Sequence, residues 1–230
     1  MRILAIDTSH PVGSIALTID GDLAGSVRFG SAASHLVELA VSAARLIEDA
    51  GLDISRIDRL ALVTGPGSFT GLRIGMSYVK GLFAAMGTDV VTTTSLELLA
   101  RQTPATGEVV CSMIDARRDE VYTAAYVTGD VGVGKEIAAP RATAPAEFVR
   151  SMDRCATAFV GTGALRYREQ IESTFAGAAE FVAEEENFPS TPFLGKIAGD
   201  LTPLTKKEIR CLEPFYIRPS DARLKKISER

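Results

Sequence analysis

Gly65-Pro66-Gly67-Ser68-Phe69-Thr70-Gly71-Leu72-Arg73-Ile74-Gly75 joins two apolar segments of different length. Leu60 to Val63 before it has the length of a buried strand, and Leu72 to Met86 after it has the length of a helix. A strand, a glycine-rich turn and a helix N-terminus form a geometry in which backbone N–H groups can hold an anion. Ser68 and Thr70 both carry the side chain of an N-cap. The spacing departs from the two common phosphate loops. A dinucleotide fingerprint needs its third glycine one residue earlier, and a P-loop ends in Gly-Lys-Ser/Thr where Gly71 is followed by Leu72. Two readings stand: an anion nest, or a tight strand-to-helix connection whose glycines relieve crowding.

Outward from this loop, one order of elements occurs twice. Arg2 to Ile6 is an apolar run ending in Asp7; a turn over Thr8 to Pro11 leads to a strand over Val12 to Ile19. Asp20-Gly21-Asp22 is a hairpin signal, and Leu23 to Phe29 completes a meander. In the second half Val109 to Ile114 ends in Asp115, Ala116 to Asp119 turns, and Val121 to Val127 returns. Gly129, Gly132 and Gly134 then precede a strand over Glu136 to Arg141. The repeat is one of topology, with little identity of residues. Helices are predicted over Ser34 to Ala50 and Gly71 to Met86, then over Ala144 to Met152, from Ala164, and over Ser190 to Leu201, with a strand over Ala156 to Gly161. The break at Pro104 to Gly107 predicts a first lobe over residues 1–104 and a second over 105–230.

Composition narrows the function. Hydrophobic residues at 46% and charged residues at 23% suit a soluble globular chain. A formal net charge of −4 argues against a dedicated nucleic-acid binder acting alone. Cys111, Cys155 and Cys211 are far apart and odd in number, which suits a reducing cytoplasm better than a disulfide framework or a metal knuckle. Met1 to Asp7 is too short and too soon polar for a secretory leader. Arg73 and Lys80 interrupt the best apolar run before it reaches the roughly 18 residues of a membrane span, so no membrane association is expected.

The two first-half helices carry more apolar surface than one sheet face requires. Ser34 to Ala50 has only a narrow polar stripe of Glu38, Ser42, Arg45 and Asp49. Gly71, Gly75, Ser77 and Gly81 on the second helix permit close approach by another helix. One reading packs both helices into their own core; the other makes them a self- or partner-binding surface. The candidate contact residues are Leu36, Leu39, Ala43, Leu46, Leu72, Gly75, Val79 and Leu82. A charge at Ala43 or Gly75 is then expected to abolish pairing and leave the monomer folded.

A duplicated meander in which each first strand ends in Asp resembles the ASKHA (actin/Hsp70/sugar-kinase) superfamily, an α/β fold of two lobes. The resemblance to one branch is closer. Met1 to Ser9, Gly65 to Gly75, Lys80-Gly81-Leu82, Thr94-Ser95-Leu96-Glu97, Asp115 to Tyr122 and Tyr216-Ile217-Arg218-Pro219 are similar, in order, to the TsaB (YeaZ) family. That resemblance implies a part in forming threonylcarbamoyladenosine at position 37 of tRNAs decoding ANN codons. It implies TsaD, the transferase and a paralogue, as heterodimer partner, TsaE as a further partner, and tRNA met only through the assembled complex. Without TsaD the same apolar helix surface is expected to produce a homodimer, since an isologous contact would reuse the patch, and no cofactor is expected.

The residues bear on catalysis. TsaD carries a His-x-x-x-His metal motif on the helix after its Gly-Pro-Gly segment, and Ser95 and Leu99 stand at those places here. Two imidazoles one turn apart can share a metal; a serine and a leucine cannot. The only histidines are His10 and His35, in separate elements. Asp7, Ser9, Gly13, Asp115, Gly161 and Gly163 are candidates for a vestigial nucleotide cleft, with Asp7 and Asp115 either near a magnesium ion or capping turns. The chain is thus expected to be a non-catalytic subunit, with a small ASKHA ATPase or kinase as the alternative. The C-terminal tail carries Arg218, Arg223, Lys225, Lys226 and Arg230 against Asp221 and Glu229. It is either a solvated terminus or an aid in attracting tRNA to the complex.

Overall fold

The computed structural model describes residues 1–30, 35–104, 107–129 and 132–218. Ten strands and eight α-helices are assigned among them, divided over two compact units: Met1–Leu98 with Pro189–Phe215, and Leu99–Phe188 with the chain from Tyr216.

In the first unit, β1 (Arg2–Asp7), β2 (Gly13–Ile19) and β3 (Asp22–Phe29) form the expected meander, and α1 (His35–Asp49) follows. β4 (Arg59–Val63), α2 (Phe69–Met86), β5 (Asp89–Thr93) and α3 (Ser95–Gln102) come next, α3 running on into the second unit. The sheet order is β3-β2-β1-β4-β5, with β1 antiparallel to β2 and parallel to β4. Side chains alternate across β1 because successive residues of a strand point to opposite faces. Leu4 and Ile6 pack with Leu39, Ala43 and Leu46 of α1 and with Met76 and Val79 of α2. Ile3 and Ala5 pack on the other face with Leu194 and Ala198. Both faces being covered explains why Ile3–Ile6 of β1 and Leu60–Val63 of β4 are continuously apolar rather than alternating.

The second unit repeats this plan. It contains β6 (Val109–Asp115), β7 (Val121–Gly129), β8 (Gly132–Thr143), α4 (Pro145–Arg150), β9 (Thr157–Val160), α5 (Thr162–Arg166), α6 (Arg168–Thr174) and β10 (Ala179–Phe181). Its order is β10-β9-β6-β7-β8, with β6 antiparallel to β7 and parallel to β9. Read from β8, this is the order of the first sheet, so the duplication seen in sequence is one of strand topology. The ASKHA class is the one observed. Phe159 centres the second core, with Phe175 edge-on at 5.3 Å and Phe181 stacked at 5.6 Å between ring centroids.

The division of the chain differs from the expected single boundary between residues 104 and 105. The change of unit comes at Leu98–Leu99, and Pro189–Phe215 returns to the first unit. Two helices carry that return, α7 (Thr191–Ile197) and α8 (Lys206–Cys211). Arg59 is one physical reason. Its guanidinium donates to the carbonyls of Ala198 at 2.8 Å, Gly199 at 2.9 Å and Leu201 at 3.3 Å, and so binds the end of α7 to β4. β5, α3, α8 and β10 are elements that the sequence reading did not place. The predicted Ser34 start of the first helix, residues 105 and 106 of the expected break, and the tail beyond Arg218 lie outside the described residues. No described helix is long and apolar enough to cross a membrane.

The cysteines offer a direct check of these cores. Cys111 is fully buried and its thiol is pushed up to about 12 by burial, whereas Cys211 is exposed. Thiolate is the reactive form, so Cys211 should react rapidly with Ellman's reagent in the native protein and Cys111 only on unfolding. Equal rates for the two would contradict the described second core.

Candidate functional site

Of the two readings of the glycine loop, the tight connection accounts for the contacts. Ser68 is the N-cap of α2: its Oγ accepts from the Gly71 N–H at 3.3 Å, while Thr70 lies inside the helix. The Ser68 N–H donates to the Ser9 carbonyl at 2.6 Å. A donor that an anion nest would offer is therefore used on the β1–β2 loop. A Cβ at Gly67 would collide with the Ser9 carbonyl, one at Gly71 with the Thr8 carbonyl, and one at Gly75 with Thr8 Oγ1. The glycines let α2 lie directly on that loop. Gly13 serves a different close approach, at the start of β2, where a Cβ would collide with the ring of its cross-strand partner Phe29.

Asp7 closes its own turn: Oδ1 accepts from the Ser9 N–H at 2.8 Å. Asp7 is 2% exposed, and the Ser9 hydroxyl lies 2.9 Å from His10 Nδ1. Burial lowers the His10 pKa, although the nearby Asp7 carboxylate opposes the shift. Asp115 repeats the turn in the second unit, Oδ1 accepting from the Arg117 N–H at 2.9 Å and Oδ2 from Arg166 at 3.0 Å. The Asp115 N–H donates to Thr162 Oγ1 at 3.1 Å. Gly161 has φ 108° and donates to Asn187 Oδ1 at 2.7 Å; Cβ atoms at Gly161 and Gly163 would crowd the Met113 carbonyl. Asp7 and Ser9 thus come together in the first unit, and Gly13 is next to Ser14, the residue paired with Asp7 across β1 and β2. Asp115, Gly161 and Gly163 come together in the second. Both aspartates act as turn caps.

The turn after Asp115 holds Arg117, Arg118 and Asp119 at φ 62°, 56° and 58°. Side chains with a Cβ adopt the left-handed region at a cost of about 1 kcal/mol each. Arg117→Gly keeps the N–H that Asp115 accepts and removes that cost. It should raise stability by about 1 kcal/mol in urea denaturation; a loss of stability would mean the arginine side chain holds the turn.

Ser95 and Leu99 are buried on α3. Among the described residues no three His, Cys, Asp or Glu side chains gather as a metal site would require.

The expected partner-contact residues need correction. Leu39, Ala43, Leu46, Leu72, Gly75 and Val79 are buried in the first core, and Leu82 is half-buried. The side chain of Leu36 lies outside the described residues. A charge at Ala43 or Gly75 would therefore test folding and not docking. A different stripe is open on α1: Val37 is 68% exposed, Val41 is 57% exposed, and Ala44 follows on the same face. Ser77, Gly81, Ala84 and Ala85 are exposed along α2, which packs beside α1. The spacing of Val37, Val41 and Ala44, at i, i+4 and i+7, was the signal available in sequence. It is hidden there because the buried residues of α1 are equally apolar.

Comparison with known proteins gives the family of the chain. The family described as TsaD, tRNA N6-adenosine threonylcarbamoyltransferase, matches residues 30–222. The chain is 26% identical to the tRNA threonylcarbamoyladenosine biosynthesis protein TsaB of Haemophilus influenzae, over 95% of this chain and 94% of that protein. It is also 26% identical to the Bacillus subtilis protein of the same name, over 98% and 97%. The solved structure of YeaZ from Pseudomonas aeruginosa superposes with a TM-score of 0.77 at 27% identity, covering 94% of this chain and 99% of that one.

Proposed function

We propose a function for this chain from one premise: it belongs to the TsaD family and, within it, to the TsaB (YeaZ) branch. Its role is in the formation of tRNA threonylcarbamoyladenosine, as a non-catalytic subunit that docks on TsaD and favours the transfer-competent state of that enzyme. The observation that carries the docking is the open stripe of Val37, Val41 and Ala44 on α1 beside the small residues of α2. Two exposed β-branched side chains one turn apart, on a helix that packs beside α2 with its exposed Ser77, Gly81 and Ala85, suit a close helix-to-helix contact. A partner built on the same fold can present the corresponding helices. By the same logic a second copy of this chain can occupy the face when TsaD is absent.

The non-catalytic part of the reading rests on Ser95 and Leu99, whose side chains do not supply the two imidazoles of the transferase motif. Activation then works through differential binding: a subunit that prefers the competent state of TsaD shifts its population by that preference. TsaE joins the pair, and tRNA is met by the assembly. The test is co-purification with TsaD from the same bacterium, followed by threonylcarbamoyl transfer to tRNA with and without this chain. A stable complex and chain-dependent transfer are expected. No complex and no effect would overturn the reading, and ATP turnover by the protein alone would then be the next measurement.

A further inference from the structure

The C-terminal half of α2 and the short α8 border a groove of about 510 Å³ within the first unit. Its apolar surface comes from Phe83, Ala84 and Ile209; Lys80, Lys206 and Arg210 also line it. This concentration of positive charge stands on a chain whose formal net charge is −4. Lys80 Nζ donates to the Arg210 carbonyl at 3.1 Å, a neutral acceptor that ties α2 to α8, and Lys80 forms no ion pair among the described residues. Lys206 and Arg210 are exposed and lie one turn apart on α8, and neither forms an ion pair among the described residues. Glu208, between them in sequence, is turned to the start of the helix. There it accepts from the Thr205 N–H and hydroxyl, each at 2.7 Å.

We infer that this groove holds a stretch of tRNA phosphodiester backbone when the chain works in its complex, an inference that rests on the proposed role in tRNA modification. The lining side chains that carry polar groups, two ammoniums and a guanidinium, are donors only. Phosphodiesters present acceptors only and carry the complementary charge. A peptide segment would also bring N–H donors, for which these side chains offer no acceptor. The apolar surface and the aliphatic stems of the cations suit a ribose or base face beside the phosphates. Net negative charge elsewhere on the chain fits a contact made only once the assembly has brought tRNA close.

The test uses the assembled complex carrying Lys206→Glu with Arg210→Glu, leaving Lys80 to hold α8 in place. Two properties are measured: pairing with TsaD, by isothermal titration, and affinity for a fluorescein-labelled unmodified tRNA transcript across a salt series. Pairing should be unchanged. tRNA affinity should fall at least about tenfold at 100 mM salt, and the slope of log K against log salt should become shallower by about 2, one unit or slightly less per lost phosphate contact. Unchanged affinity and slope would overturn the groove as an RNA site while leaving the docking reading intact. Lost pairing with folded chain, by circular dichroism, would make the groove a protein contact and overturn the inference in another way. Failure of the unsubstituted chain to pair at all would instead overturn the docking reading.

Discussion

Val41→Arg is expected to weaken pairing with TsaD by at least about 100-fold and to lower chain-dependent threonylcarbamoyl transfer in proportion. Val41 is 57% exposed, so the isolated chain can carry the arginine in water with little loss of stability. In a docked helix-to-helix contact the same guanidinium would be stripped of water without a partner. Breaking such a contact with one unpaired charge costs about 3–5 kcal/mol, which is the origin of the expected factor. Val37→Glu, one turn away on the same face, should act similarly. Leu23→Glu is the control. Leu23 is 53% exposed near the start of β3, a strand that α1 packs against, but it is on neither α1 nor α2, and its substitution should leave pairing within about twofold. The measurement is isothermal titration of each variant into TsaD, with the melting temperature of each chain recorded first. Wild-type pairing by a folded Val41→Arg chain would remove α1 from the interface. Equal damage from Leu23→Glu would show an effect of charge and not of place.

The two halves of this fold were unequally legible. Strands β1, β2, β3, β6 and β7 stand out in sequence because each apolar run ends in Asp7, Asp115 or a glycine turn. The return of α7 to the first sheet was not legible. Its anchor is Arg59 bonding to carbonyls some 140 residues later, and a backbone acceptor leaves no mark on a sequence. β10 is three residues long and α8 six, too short for periodicity to declare them. The candidate site shows the same divide. That Asp7 and Asp115 cap turns follows from residue chemistry and was open as a reading. Which apolar residues of α1 face the core was not decidable. Leu39, Ala43 and Leu46 differ from Val37, Val41 and Ala44 only in which side the sheet lies. The groove between α2 and α8 joins Lys80 to Lys206 and Arg210, and only the fold reveals that adjacency.

Three glycine-to-alanine substitutions in the single helix α2 should differ in sign, which separates helix propensity from packing. Propensity alone favours alanine over glycine by about 1 kcal/mol at each interior position. Gly81 is exposed, and a Cβ there would meet nothing within 4 Å. Gly81→Ala should therefore stabilise the isolated chain by about 1 kcal/mol and raise its melting temperature by about 2–4 °C. At Gly75 the new methyl would strike Thr8 Oγ1, an atom on a side chain that can rotate, with Leu62 3.4 Å away. Gly75→Ala should be destabilising, though by less than the change at Gly71. At Gly71 the obstacle is the Thr8 carbonyl, a backbone atom in a loop fixed by the Ser68–Ser9 hydrogen bond. The loop or the helix must move, and overpacking of this kind costs about 3 kcal/mol before the propensity gain is subtracted. Gly71→Ala should then lose about 2 kcal/mol net and about 4–8 °C in melting temperature. Thermal and urea unfolding of the three variants decides the matter. Stabilisation at all three positions would mean that α2 does not lie on the Thr8–Ser9 loop, and the explanation given for the glycine motif would fall with it.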